Sequence, residues 1–74
     1  MSHDLDTRGL LCPLPVLKTR KRLKPLKSGE ILSVLTDDPA AIVDFPHYCS
    51  ESGNVLIDIK TLEDGSARFL VKKS

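Results

Sequence analysis

Few side chains in this sequence could do covalent chemistry, and the two cysteines stand out. Cys12 lies in the run Cys12-Pro13-Leu14-Pro15, and Cys49 follows 37 positions later. A cysteine directly before a proline that opens a helix would sit at the helix N-cap, since proline is favoured at the first helical position. Unpaired N–H groups and the positive end of the helix dipole would then face the sulfur. That setting lowers a thiol's pKa and favours the thiolate, the form that attacks a disulfide or a sulfane sulfur. Pro13 and Pro15 would stiffen the backbone on either side of Leu14 and hold the sulfur at the surface. No second cysteine follows two residues on, so the local partner of a dithiol oxidoreductase is missing. The alternative is that Cys12 is a small apolar residue packed in a core. Cys49 is expected to pack, on the core face of a second helix seven residues after Ile42, with a resolving thiol as its other reading.

Other candidates have simpler explanations. His47, beside Pro46, could serve as a base but reads as a solvated loop histidine. Asp37 and Asp38 could be paired carboxylates for acid–base work, although an Asp cap before Pro39 accounts for them. Neither His3 nor His47 stands at ligand spacing to a cysteine, so no metal site is expected. No cofactor is expected either, because 74 residues leave little room for a large pocket beside a core.

Charge is unevenly laid out. The net charge is +1, yet Lys18, Arg20, Lys21, Arg22, Lys24 and Lys27 fall between Pro13 and Lys27 with no acid among them. This is either a solvated helix face or a docking surface for an acidic protein or an RNA backbone. Aromatics are limited to Phe45, Tyr48 and Phe69, too few to build stacking platforms for single-stranded nucleic acid. No apolar run approaches the length of a membrane span, and Met1-Ser2-His3-Asp4 does not resemble a signal peptide. A cytoplasmic protein, without membrane contact, is the expectation.

The elements that would position Cys12 follow from punctuation and periodicity. His3 to Thr7 reads as a short strand. Arg8 to Leu11 is a loop in which Gly9 is free to take unusual backbone angles, with Arg8 and Lys18 as candidate additions to the positive field at Cys12. A helix from about Pro13 to Lys24 carries an apolar stripe of Val16, Leu17 and Leu23. Ile31 to Thr36 reads as a buried central strand. A second helix starts at Asp37-Asp38-Pro39, carries Ile42, Val43 and Phe45, and should kink or restart at Pro46. Val55, Ile57 and Ile59 alternate with polar residues, as do Ala67, Phe69 and Val71, and Glu63-Asp64-Gly65 carries a hairpin signal between them. Residues 1–74 are therefore expected to be one domain. Its class is α+β: a two-layer sandwich in the order β-α-β-α-β-β, a four-stranded mixed sheet with both helices on one face. Leu56 and Leu70 should point to the open face.

Read together, several segments resemble the TusA (SirA-like) sulfur-carrier family. Asp6-Thr7-Arg8-Gly9-Leu10-Leu11-Cys12-Pro13-Leu14-Pro15-Val16 looks like its Cys-Pro-x-Pro signature. Pro25 to Glu30 resembles the stretch before its second strand, Thr36 to Ala40 its second-helix start, and Phe45 to Cys49 the segment around its second cysteine. The likeness runs from about Leu5 to Lys72. It implies the same sandwich fold, and it implies that Cys12 is the active cysteine, supported by Gly9, Pro13 and Pro15. Cys12 would take sulfur as a persulfide from a cysteine desulfurase or another sulfurtransferase and pass it to an acceptor protein. Such relays feed tRNA 2-thiouridine synthesis, molybdenum-cofactor synthesis or sulfur oxidation. Arg8, Lys18, Arg20, Lys21, Arg22 and Lys24 are the candidate docking residues, with direct RNA contact the lesser expectation. Two positions depart from well-studied tRNA-pathway members: Leu11 stands where they often carry Arg, and Leu14 where they carry Glu. The tip is less charged, which bears on the choice of donor and acceptor. Two other readings compete. One is a nucleic-acid-binding or regulatory module using the basic helix. The other is a redox protein pairing Cys12 with Cys49.

Overall fold

The computed structural model describes His3–Ser74; Met1 and Ser2, part of the signal-peptide reading, lie outside the described residues. The element order is β1 (His3–Asp6), α1 (Leu14–Leu23), β2 (Ile31–Thr36), α2 (Ala41–Ser52), β3 (Val55–Thr61) and β4 (Ala67–Lys72). The strands form one sheet in the order β1-β2-β4-β3. β1 and β2 are parallel, with Leu5 opposite Val34. Parallel neighbours need a crossover, and α1 supplies it. The β2–β4 and β3–β4 pairs are antiparallel. This is the expected mixed sheet, with β2 central.

One core lies between the sheet and the helices. Leu32 and Val34 of β2 and Phe69 and Val71 of β4 meet Leu23 of α1 and Ala41, Phe45 and Cys49 of α2. The Phe45 and Phe69 rings stack with centroids 4.6 Å apart. Cys49 is buried as expected, and burial pushes its thiol pKa above the ordinary value.

Four local expectations need correction. The stripe α1 buries is Pro15, Thr19 and Leu23, while Leu17 is exposed. Thr19 enters the core because its hydroxyl donates to the Pro15 carbonyl at 2.8 Å, which removes the cost of burying it. On α2 the core face is Ala41, Phe45 and Cys49, an i, i+4, i+8 row, and Ile42 and Val43 point outward. α2 also runs through Pro46 without a restart. On β3 the alternation is out of phase. A bulge between Leu56 and Asp58 inserts Ile57 as an extra residue, and an inserted residue breaks the period of two. Leu56 therefore lies opposite Val71 and Ile59 opposite Phe69, both on the core side. Leu56 packs against the core, and Val55 and Ile57 are exposed. Leu70, opposite Ser33, does face the open side, where Arg68 donates to the Ser33 hydroxyl at 2.7 Å.

Candidate functional site

The segment that carries Cys12 is fastened at both ends. At its start Thr7 is fully buried, and both its N–H and its hydroxyl donate to the Leu35 carbonyl, at 2.7 and 2.8 Å. Gly9 then turns the chain at φ 84°. A side chain there would find open space, so glycine is required by the backbone angle and not by crowding. At its far end the Leu14 N–H donates to the Leu11 carbonyl and the Leu17 N–H to the Pro13 carbonyl, at 2.9 and 3.1 Å.

That second bond makes Pro13 the N-cap, and α1 begins at Leu14. Cys12 therefore lies one residue before the cap, not on it. The Cys12–Pro13 peptide is cis. The donors a helix start usually offers are sparse here: Pro13 and Pro15 have no N–H, and that of Leu14 is already taken.

Two acids hold the loop instead. The Gly9 N–H donates to Asp37 Oδ1 at 2.9 Å, and the Cys12 N–H donates to Asp38 Oδ2 at 2.7 Å. Asp38 is 8% exposed, and its Oδ1 accepts from the Ala40 N–H at 3.1 Å. Expected as helix caps, Asp37 and Asp38 are struts between the β2–α2 turn and the cysteine loop. The N-cap of α2 is Ala40, with no side-chain cap bond. No sequence signal close to Cys12 points to this pairing, because the partners are 26 residues apart.

Cys12 itself is exposed. It opens on a shallow groove of about 270 Å³ whose walls are Cys12, Pro13 and Val16 on one side and Asp44, His47, Tyr48 and Glu51 on the other. One oxygen from each of Asp38 and Asp44 and the Cys12 sulfur all lie within 4.8 Å of one another. Three such ligand atoms could face a cation, but both Asp38 oxygens already accept from backbone N–H groups, and no metal is assigned to them. Their effect on the thiol is the reverse of the one expected. The Cys12 pKa is raised, first by Asp44 as acceptor for the thiol proton, then by desolvation, then by the negative charges of Asp44 and Asp38. The sequence reading looked to the helix dipole and missed Asp44, which only the packing of α2 against α1 brings to the sulfur.

Arg8 does not add to the field at Cys12. Its guanidinium and N–H are engaged by Asp6, with contacts of 2.9–3.0 Å, and Asp64 lies 3.8 Å away. His47 is on α2 rather than in a loop, exposed and 3.6 Å from Glu51. The basic residues of α1 are all exposed. Lys18, Lys21 and Arg22 border a cleft with Leu5, and Arg20 borders another with Leu17, Tyr48 and Glu51. Cys12 borders neither cleft. Along the chain on either side of Cys12, Leu11 and Leu14 are exposed.

The β-α-β-α-β-β sandwich is the fold of a SirA-like protein as well. The crystal structure of a SirA-like protein from Desulfitobacterium hafniense superposes with a TM-score of 0.84, covering 97% of this chain and 96% of that one at 22% identity. The sequence matches the family described as Sulfurtransferase TusA over residues 3–73. A curated relative, the "Sulfur carrier protein TusA" of Allochromatium vinosum, is 42% identical over 72 residues, which are 97% of this chain and 93% of its own length. The chain belongs to the TusA family.

Proposed function

We propose that this protein carries sulfur on Cys12: the thiol accepts a sulfane sulfur as a persulfide and relays it to an acceptor protein. Family membership supports sulfur carriage. The observation that singles out Cys12 is its exposure, on a loop held by Asp37 and Asp38, while Cys49 is enclosed in the core. A carried sulfur must be reached by another protein's active site, and of the two cysteines Cys12 meets that need. In this reading Gly9, Pro13 and Pro15 keep the loop in shape.

The donor is a cysteine desulfurase or another sulfurtransferase, and the acceptor a protein of tRNA 2-thiouridine synthesis, molybdenum-cofactor synthesis or sulfur oxidation, in the cytoplasm. Lys18, Arg20, Lys21, Arg22 and Lys24 offer an acidic partner a positive face, while Arg8, held by Asp6, contributes less. The chemistry is a thiol–persulfide exchange. The Cys12 sulfur attacks the outer sulfur of the donor persulfide, a new S–S bond forms, the donor's S–S bond breaks, and its sulfur leaves as thiolate and is protonated. No net oxidation occurs.

The test is to incubate the protein with a desulfurase and cysteine and to measure its intact mass. A gain of one sulfur atom, removed by reductant and absent in Cys12→Ser, is expected. A Cys12→Ser protein that still gains the sulfur sinks the assignment. Salt-sensitive RNA binding that survives Cys12→Ser, with no sulfur loading of the wild type, would favour the nucleic-acid module instead.

A further inference from the structure

The acids around Cys12 deepen the reading just given, on which this inference rests. A carrier thiol is exposed to every oxidant and electrophile it meets between donor and acceptor. Here the exposed sulfur is set among negative or neutral groups. Asp38 faces it from the β2–α2 turn; Asp44, His47, Tyr48 and Glu51 line the groove from α2; Pro13 and Val16 of its own segment add no charge. The cations that sequence alone would recruit are elsewhere, Arg8 on Asp6 and Lys18 beside Leu5.

The two nearest acids differ in what else they do. Asp38 is almost fully buried and is spent on the Cys12 and Ala40 N–H groups. Asp44 is half-buried in the groove wall. Among the described residues its carboxylate takes part in no ion pair, and one of its oxygens lies within 4.8 Å of the Cys12 sulfur. Its charge is therefore left for the sulfur and for whatever enters the groove.

We propose that Asp44 is the positioning residue that sets the charge facing the Cys12 sulfur across the groove, and that the partner which exchanges sulfur with Cys12 presents a cationic side chain that pairs with Asp44. Pairing would offset that negative charge and favour the thiolate when the partner is docked. The partner surface is then mixed in sign, positive over the sulfur and negative opposite the basic face of α1. Desolvation on docking would strengthen the pair, since charges interact more strongly away from water.

Small reagents test this without sulfur carriage, so its failure is distinct from failure of the carrier reading. In wild type, the rate ratio of thiol–disulfide exchange with cystamine, a cationic disulfide, to exchange with the anionic dithiodipropionate should exceed the same ratio for 2-mercaptoethanol, which corrects for the different leaving thiols. In each case Cys12 thiolate attacks one reagent sulfur, a mixed disulfide forms, and the other half leaves as thiolate and is protonated. Added salt should shrink the preference. Asp44→Asn should shrink it too, and should move the pH profile of iodoacetamide alkylation at Cys12 downward, with alkylation at neutral pH about 2- to 4-fold faster because the gain in thiolate outweighs its lower nucleophilicity. Asp44→Glu should retain the wild-type profile. An unchanged pH profile and charge preference in Asp44→Asn overturn the proposal. So does a wild-type protein whose cationic-to-anionic rate ratio does not exceed that of 2-mercaptoethanol, a measurement that needs no variant.

Discussion

Asp38→Asn should be among the most costly single-atom changes this protein can suffer. The carboxylate accepts from two backbone N–H groups on different segments, Cys12 at 2.7 Å and Ala40 at 3.1 Å, and is 8% exposed. Hydrogen bonds to a charged group are worth about 1.5–3 kcal/mol each, and a buried donor left unpaired costs a similar amount. An asparagine can turn its one oxygen to only one of the two donors, and its NH₂ then faces the other. The loss should be about 2–3 kcal/mol for Asp38→Asn and about 3–5 kcal/mol for Asp38→Ala, where both bonds go. At roughly 4–8 °C per kcal/mol for a chain of this size, the Asn variant should melt about 8–24 °C lower. Asp37 is the internal control: it is exposed and accepts only from the Gly9 N–H, so Asp37→Ala should cost about 1 kcal/mol or less. Urea unfolding followed by circular dichroism reads all three, and hydrogen exchange at the Cys12 amide reports whether the loop has come loose. An Asp38→Asn protein within about 0.5 kcal/mol of wild type, or an Asp37→Ala loss larger than that of Asp38→Ala, would refute the strut reasoning.

Two further outcomes follow from the same geometry. The Arg8 side chain and N–H hold the Asp6 carboxyl down at about 2, against an ordinary 3.8. A depressed folded pKa favours the fold above the ordinary value and is lost as pH falls toward about 2; NMR titration should place the Asp6 midpoint there, and Arg8→Ala should return it upward, whereas an unmoved midpoint would show that Arg8 is not the cause. Cys49→Ala should cost about 1 kcal/mol of core packing and leave sulfur loading of Cys12 intact; loss of loading in a folded Cys49→Ala protein would make Cys49 a resolving thiol after all.

The order of elements was legible because it is written in local signals. Pro25 and Gly29 close the first helix segment, Ile31 to Thr36 is too apolar to lie at an edge, and Asp64-Gly65 marks the hairpin. Parallel pairing of β1 with β2 then follows from the helix between them. Local signals failed where a single residue changes phase or where two signals compete. Ile57 inserts a bulge that no period of two reveals, and Thr19 is buried because its hydroxyl is satisfied within its own helix. Pro13 became the cap itself and displaced Cys12 by one position.

Cys12 was the expected chemical centre from its place in Cys12-Pro13-Leu14-Pro15, and in the tertiary structure it is exposed. Its electrostatics were not legible. The helix start predicts a positive setting, but the prolines strip that start of N–H donors, and Asp38 and Asp44 arrive from a turn and a helix far along the chain. Sequence fixes which residues are neighbours through three or four bonds of chain; the field at an atom depends on charges within a few ångströms, whatever their distance along the sequence. The chain alone therefore gave the expectation that Cys12 is the sulfur offered to a partner. Only the packing of α2 against α1 decided that this sulfur stands beside two carboxylates, whose charge pushes its pKa up instead of down.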